Sequence, residues 1–192
     1  KRENMCGICG FISKKEISLD LLIKMNNMIK HRGPDDHGEE IYPISNSWTV
    51  GFAQRRLSII DLSVNGHQPM HSQDKRISLV FNGEIYNFRE LRKEINDYSF
   101  KTECDTEIII ASYLKWGINF VEKLNGMFAI ALLDRKNDTI YFIRDRMGKK
   151  PFYYYIGESG EIVFASELKA IMQYSTSIKR INKNIIGKYL CK

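Results

Sequence analysis

The sequence predicts a single α+β domain. Three observations carry that reading: short strand-like apolar runs are grouped at several points, segments of helical period lie between the groups, and no internal repeat or linker interrupts them. A chain of 192 residues has room for one domain or one and a half, not for two full catalytic cores.

In chain order, Cys6 to Ser13 is a short strand of small and apolar residues. From Ser18 to Lys30 the apolar residues Leu21, Leu22, Met25, Met28 and Ile29 follow a helical period, with Ser18 as the N-cap. His31-Arg32-Gly33-Pro34-Asp35-Asp36-His37-Gly38 predicts the loop that ends this helix. Strands are expected over Trp48–Gln54 and Leu57–Asp61, then a polar loop through Gly66, Pro69 and Ser72, then a strand over Ile77–Phe81 running straight into Asn82-Gly83. Arg89–Ile95 and Thr106–Trp116 read as helices, the second with Asp105 at its start and Gly117 at its end. Strands then return over Met127–Leu133, Thr139–Arg144, Phe152–Ile156 and Ile162–Ala165, separated by turn residues at Asn137-Asp138, Met147-Gly148 and Ser159-Gly160. A helix from Ser166 to about Tyr174 and a polar tail complete the pattern.

Composition removes several function classes. Hydrophobic residues at 43% and charged residues at 27% are the balance of an ordinary globular protein, and 13 glycines with 4 prolines exclude collagen-like and low-complexity chains. The longest apolar run, Met127–Leu133, is far short of the ~20 residues that span a bilayer, so no membrane partner is expected. A net charge of +6 raises nucleic acid as a partner. However, Arg89–Glu94 and Asp134–Asp138 mix both signs, and the basic stretch from Lys179 to Lys188 lacks an aromatic ladder, so the charge reads as a solvated surface.

The 4 cysteines, Cys6, Cys9, Cys104 and Cys191, read as free thiols in a reducing cytoplasm, because no apolar signal segment precedes them and a chain of this length needs no disulfide staples. Cys6, near the N-terminus and followed by Gly7, is either a buried small hydrophobe or a nucleophile that uses an α-amine as its base. Cys6-x-x-Cys9 lacks the second ligand pair that zinc needs, so no metal is assigned. Asn82-Gly83 is either a hairpin turn or an oxyanion hole at a strand end; the segment after it runs into a helix with no return strand. Arg56 is by default a surface charge, and Asp105 a helix N-cap.

Together these pieces are specific. Met5-Cys6-Gly7-Ile8-Cys9-Gly10, His31-Arg32-Gly33-Pro34-Asp35, Arg56-Leu57-Ser58-Ile59-Ile60-Asp61 and Asn82-Gly83-Glu84-Ile85-Tyr86-Asn87 occur in one order along the chain. Asp105-Thr106-Glu107, Arg144-Asp145-Arg146-Met147-Gly148 with Lys150-Pro151-Phe152-Tyr153-Tyr154, and Phe164-Ala165-Ser166-Glu167-Leu168-Lys169 continue it. In these motifs the chain, from Cys6 to its end, resembles the glutaminase (class II glutamine amidotransferase) domain of glutamine-hydrolysing asparagine synthetases.

The resemblance implies the N-terminal-nucleophile hydrolase fold, a four-layer αββα sandwich, and hydrolysis of L-glutamine to glutamate and ammonia through a cysteine thioester. Carried over by motif, Cys6 is the nucleophile with its own freed α-amine as base, and Asn82 and Gly83 hold the oxyanion. Arg56 matches the binder of the substrate α-carboxylate and Asp105 that of the α-amine, while Glu84 and the backbone near Ile59 and Ile60 line the same pocket. No cofactor is implied in this domain. ATP and magnesium belong to a C-terminal synthetase domain that would take up the ammonia for asparagine synthesis, and a homodimer is left open. The His31–Asp35 loop is expected either to support the pocket or to contact substrate.

Two departures from the family pattern shape the expectations. Residues 1–5 precede the cysteine as an N-terminal extension, and with Met5 attached Cys6 has an amide nitrogen and no base. Residues 6–192 read as the glutaminase domain alone, without the synthetase domain. Two rivals stay open: the glutaminase domain of a sugar- or polysaccharide-modifying amidotransferase, and a non-catalytic glutamine-binding domain of the same fold.

Overall fold

A computed structural model describes residues 5–57 and 64–174. Ile59 and Ile60, Cys191 and the basic stretch from Lys179 lie outside the described residues, as does all but Leu57 of the strand expected over Leu57–Asp61.

Two antiparallel sheets form the middle of the molecule. The first has the order β2 (Asp36–Pro43), β3 (Thr49–Arg56), β1 (Gly7–Ser13), β9 (Ile162–Ala165), β8 (Tyr153–Ile156). The second has the order β4 (Met70–His71), β5 (Ile77–Ile85), β6 (Gly126–Asp134), β7 (Thr139–Arg144). The alternation of side chains along each strand sorts the apolar residues into three cores. Ile8 and Ile12 of β1, Val50 and Phe52 of β3, and Phe164 of β9 face Val80 of β5 and Ala129, Ala131 and Leu133 of β6 between the sheets. On the other side of the first sheet, Cys9, Phe11, Ala53 and Val163 pack against Leu22, Met25 and Ile29 of the α1 region (α1, Leu19–Asn27) and Ala170 and Ile171 of α5 (Leu168–Ile171). Outside the second sheet, Ile77, Leu79, Phe81, Ile130 and Leu132 meet α2 (Phe88–Glu94), α3 (Asp105–Trp116) and α4 (Phe120–Lys123) through Leu91, Ile108, Ile109 and Phe120. Helix, sheet, sheet and helix therefore stack as four layers, as the resemblance implies.

Several boundaries differ from the sequence expectation. The loop expected over His31–Gly38 gives way at Asp36 to β2, an edge strand whose charged residues Glu39 and Glu40 mask its apolar alternation. β5 does not stop at Phe81 but runs through Asn82 and Gly83 to Ile85, so Asn82-Gly83 is strand and not a hairpin turn. Ser18 occupies the N-cap position of α1, but its side chain makes no cap hydrogen bond. Cys104, not Asp105, is the N-cap of α3, and the Asp105 carboxylate accepts instead from the Ile85 N–H at 2.9 Å. The same residue type sits at the helix start in both arrangements; the neighbouring strand end is what draws the carboxylate away.

Candidate active site

Alternation also builds the site. On β1 the residues facing the inter-sheet core are Ile8 and Ile12, and the same parity carried one step before the strand reaches Cys6. On β3, Val50 and Phe52 lead by the same step to Gln54 and Arg56; on β5, Val80 leads to Asn82 and Glu84. The apolar layer between the sheets thus changes to polar residues at one end. There, Cys6, Gln54, Arg56, Asn82, Gly83, Glu84 and Asp105 line a single cavity of about 420 Å³. Cys6, both oxyanion candidates and three of the substrate-binding candidates come together; Ile59 and Ile60 are not among the described residues.

The Cys6 thiol donates to the Leu57 carbonyl at 3.6 Å and its sulfur accepts from the Leu57 N–H at 3.3 Å. Burial pushes this thiol up; the Leu57 amide, Lys150 and Arg56 pull against that, and Asp105 adds to it. With Met5 in place the group is a protonated thiol at neutral pH, and it needs a base to attack. Burial also raises Cys9, which packs against α1, and Cys104, whose sulfur lies 2.9 Å from the Thr102 hydroxyl. Both are packing thiols, although Cys104 also forms part of the cavity wall.

Asn82 is fully buried, yet neither its Oδ1 nor its Nδ2 is hydrogen-bonded within the described protein. An amide left this way costs roughly 1–3 kcal/mol, which a ligand oxygen in the cavity would offset. Gly83 sits opposite Phe128, where a β-carbon would strike the Met127 carbonyl oxygen, and it lines the cavity between Phe81 and Ile85, whose N–H groups on the same strand edge donate to Gln68 and Asp105. On the oxyanion role that the resemblance implies, replacing Asn82 with Ala should lower kcat for glutamine hydrolysis by ~10²–10³ with little change in KM, because such a donor acts on charge that develops in the transition state. Steady-state kinetics at full folding check this; an unchanged kcat would remove Asn82 from the oxyanion role.

Arg56 is 8% exposed, far from the surface charge that is its default reading, and its guanidinium lies directly over Gly66, where a side chain would collide with it. Asp105 is equally buried, and burial pushes its carboxyl up to about 6, with Glu84 adding to the rise and the Ile85 N–H opposing it. An unfolded aspartate titrates near ~3.9, so this group favours the folded state at low pH and that contribution is lost as pH rises through about 6. A carboxylate held at a cost to stability marks a binding role better than a structural one.

The His31–Asp35 loop is wired to the start of β1. Arg32 donates from Nε to the Cys6 carbonyl at 2.9 Å and from Nη1 to Glu167 at 3.1 Å, and His31 meets the same carboxylate at 2.8 Å. Burial alone would raise Glu167, but Lys169, Arg32 and His31 hold it below the usual carboxylate range. Ser166 clamps the next residue pair, accepting from the Ile8 N–H at 3.0 Å and donating its own N–H to the Ile8 carbonyl at 2.8 Å. The loop and the Phe164–Lys169 motif thus support Cys6 from behind; neither His31 nor Arg32 lines the cavity.

The cavity contains residues for which the sequence carried no site assignment. Gln68 accepts from the Phe81 N–H at 2.7 Å and donates to the Thr106 hydroxyl at 3.3 Å, tying the strand that carries Asn82 to the helix that carries Asp105. Gln54 is fully buried on the same inner face, and its position in the alternation was the available signal. Lys150 reaches the cavity from the loop after β7.

A family model described as the glutamine amidotransferase domain matches residues 5–192. The chain belongs to this family. Among curated relatives, it is 44% identical over 194 residues to a putative glutamine-hydrolysing asparagine synthetase 2 of Methanocaldococcus jannaschii, covering 93% of this chain and 36% of that protein. It is 39% identical over 190 residues to asparagine synthetase B (glutamine-hydrolysing) of Escherichia coli, covering 97% of this chain and 33% of that protein. It thus spans about a third of the length of these relatives. A solved glutamine phosphoribosylpyrophosphate amidotransferase of B. subtilis superposes with a TM-score of 0.70 at 20% identity, over 86% of this chain and 42% of that one, and shares its fold. As an amidotransferase domain, the chain is homologous to the glutamine-hydrolysing domains of asparagine synthetases. Among its described residues no helix is long and apolar enough to cross a membrane.

Proposed function

We propose that this cavity hydrolyses L-glutamine to glutamate and ammonia, with Cys6 as nucleophile, and that the ammonia serves asparagine synthesis in a synthetase domain. The observation that carries the reading is the meeting of a cysteine, a buried amide without partners among the described residues, the buried Arg56 and Lys150 and the buried Asp105 around one cavity. That set matches glutamine group by group. Arg56 offers two parallel donors to the α-carboxylate, and Asp105 offers a carboxylate to the α-ammonium. The side-chain amide is then directed toward Cys6 and Asn82. A ligand lacking either α-group forgoes a charge-assisted contact with Arg56 or Asp105, which is the physical basis of selectivity.

In the reaction, the α-amine of a chain beginning at Cys6 takes the thiol proton as sulfur attacks the amide carbon. The oxyanion accepts hydrogen bonds from the Asn82 amide and the Gly83 N–H. The C–N bond breaks as the ammonium returns its proton to the leaving nitrogen, and ammonia departs. Water then adds to the glutamyl thioester, the C–S bond breaks, and glutamate leaves.

The test is stoichiometric release of glutamate and ammonia from glutamine by protein whose first residue is Cys6, with asparagine formed when the full-length enzyme is given aspartate and ATP. Glutamine that binds without turnover would support the non-catalytic rival. Asp105 supplies a separate check through binding alone. In a Cys6→Ala variant, calorimetry should show glutamine affinity level above about pH 7 and falling about tenfold per unit below about 6, as the carboxylate is protonated. An affinity that stays level down to about pH 5 would remove Asp105 from ammonium binding.

A further inference from the structure

The Arg144–Tyr154 motif contributes no residue to the chemistry above, yet its loop is built to hold one side chain in the cavity. Asp145 is the hub. Its carboxylate accepts from the N–H groups of Lys149 at 2.9 Å, Lys150 at 3.0 Å and Phe128 at 3.2 Å, and its own N–H donates to the Phe128 carbonyl at 2.9 Å. Burial would raise this carboxyl, but those backbone donors hold it below the usual range, so it is a fixed anion at neutral pH. Arg144 closes the loop by donating from Nε to the Lys150 carbonyl at 2.7 Å and from Nη2 to the Gly148 carbonyl at 2.6 Å. Phe128 is the residue paired with Gly83 on β5. The loop is therefore tied to the same strand pair that carries the oxyanion candidates.

The side chain so placed is Lys150. It is 4% exposed, lines the cavity with Cys6, and its Nζ donates to the Met5 sulfur at 3.1 Å, immediately before the nucleophile. Among the described residues, the charged groups around Cys6 are Arg56 from β3, Glu84 from β5, Asp105 from α3, Lys150 from the loop after β7, and Arg32 on the Cys6 carbonyl. Two of these are taken up by substrate in the assignment above, Arg56 by the α-carboxylate and Asp105 by the α-ammonium. Neither α-group of glutamine is assigned to Lys150, so the bound substrate does not neutralise its charge.

We propose that Lys150 is a positioning residue whose fixed positive charge favours the deprotonated Cys6 thiol and disfavours a protonated α-amine beside it. The proposal rests on the glutaminase reading of the cavity and deepens it. In the reaction the lysine exchanges no proton and forms no bond; it stabilises the sulfur anion and makes the α-ammonium a stronger acid toward the leaving nitrogen.

The test uses protein beginning at Cys6 and reads alkylation of Cys6 by iodoacetamide against pH, localised by peptide mapping. Alkylation follows the thiolate fraction and requires no turnover of glutamine, so its outcome is independent of whether the glutaminase assignment holds. Lys150→Met and Lys150→Gln should shift the acid limb upward by about one pH unit, slowing alkylation roughly tenfold at a fixed pH below it. Lys150→Arg, which keeps the charge, should stay near the parent profile. Profiles of the folded neutral variants that superimpose on the parent would overturn the proposal, as would an arginine variant that behaves like the neutral ones. Should methionine not be accommodated, glutamine at the same position decides the matter.

Discussion

Protein that retains Met5 will release glutamate from glutamine at least ~10³-fold more slowly than protein beginning at Cys6, the scale expected when both the general base and its geometry are lost. With Met5 attached, the Cys6 nitrogen is an amide that cannot take a proton. The thiol itself is no substitute, because burial raises it despite the opposing pull of Lys150 and Arg56. Met5 also lines the cavity, and its sulfur occupies the Lys150 ammonium, so the residue blocks the site as well as capping the amine. Intact mass measured on the assayed sample, together with glutamate release, checks this. Full turnover from protein whose mass includes all of residues 1–5 would contradict the α-amine as base.

Replacing Cys6 with Ala in protein lacking residues 1–5 will abolish turnover, with a loss on the order of 10⁴-fold or more. The substitution removes the atom that forms the thioester and leaves Arg56, Asp105 and Asn82 in place, so glutamine binding should survive with affinity changed by less than about tenfold. That separation of binding from turnover distinguishes a nucleophile from a structural thiol. Cys9→Ala provides the contrast: that thiol is fully buried between β1 and α1, so the change should cost stability through lost packing while kcat stays near the parent value. Equal loss of turnover in both variants would mean that Cys6 acts through packing.

Much of this site is legible in the sequence because its residues sit in short motifs, and the resemblance those motifs carry names Cys6, Arg56, Asn82 and Asp105, whereas the residue pattern by itself leaves Arg56 as a surface charge. Once Ile8, Val50 and Val80 are placed inward, Cys6, Arg56 and Asn82 follow by parity. What escaped depends on contacts between segments far apart in the chain. Asp105 was read as a cap because an aspartate at a helix start ordinarily serves there; its real partner, the Ile85 N–H, belongs to a strand 20 residues earlier. The strand at Asp36–Pro43 was hidden by Gly38, Glu39 and Glu40, a composition tolerated at a sheet edge where one side of the strand has no neighbour. Lys150 lies in a motif to which no role is attached and Gln68 in none, since their reach into the cavity is set by the Asp145 hub and by the Phe81 and Thr106 contacts. The sequence leaves the His31–Asp35 loop between support and substrate contact; in the fold Arg32 bridges from the Cys6 carbonyl to Glu167, a supporting contact.

The central claim is that a covalent bond forms between Cys6 and the glutamyl group, and acid-quenched protein from the first turnover tests it most directly. Tandem mass spectrometry of the peptide that carries both Cys6 and Cys9 should locate a glutamyl adduct on Cys6, released by hydroxylamine as a thioester is, with none on Cys9 and none on the Cys104 peptide. Glutamate formed at the parent rate by the Cys6→Ala protein, or an adduct carried by Cys104 in place of Cys6, would contradict the account.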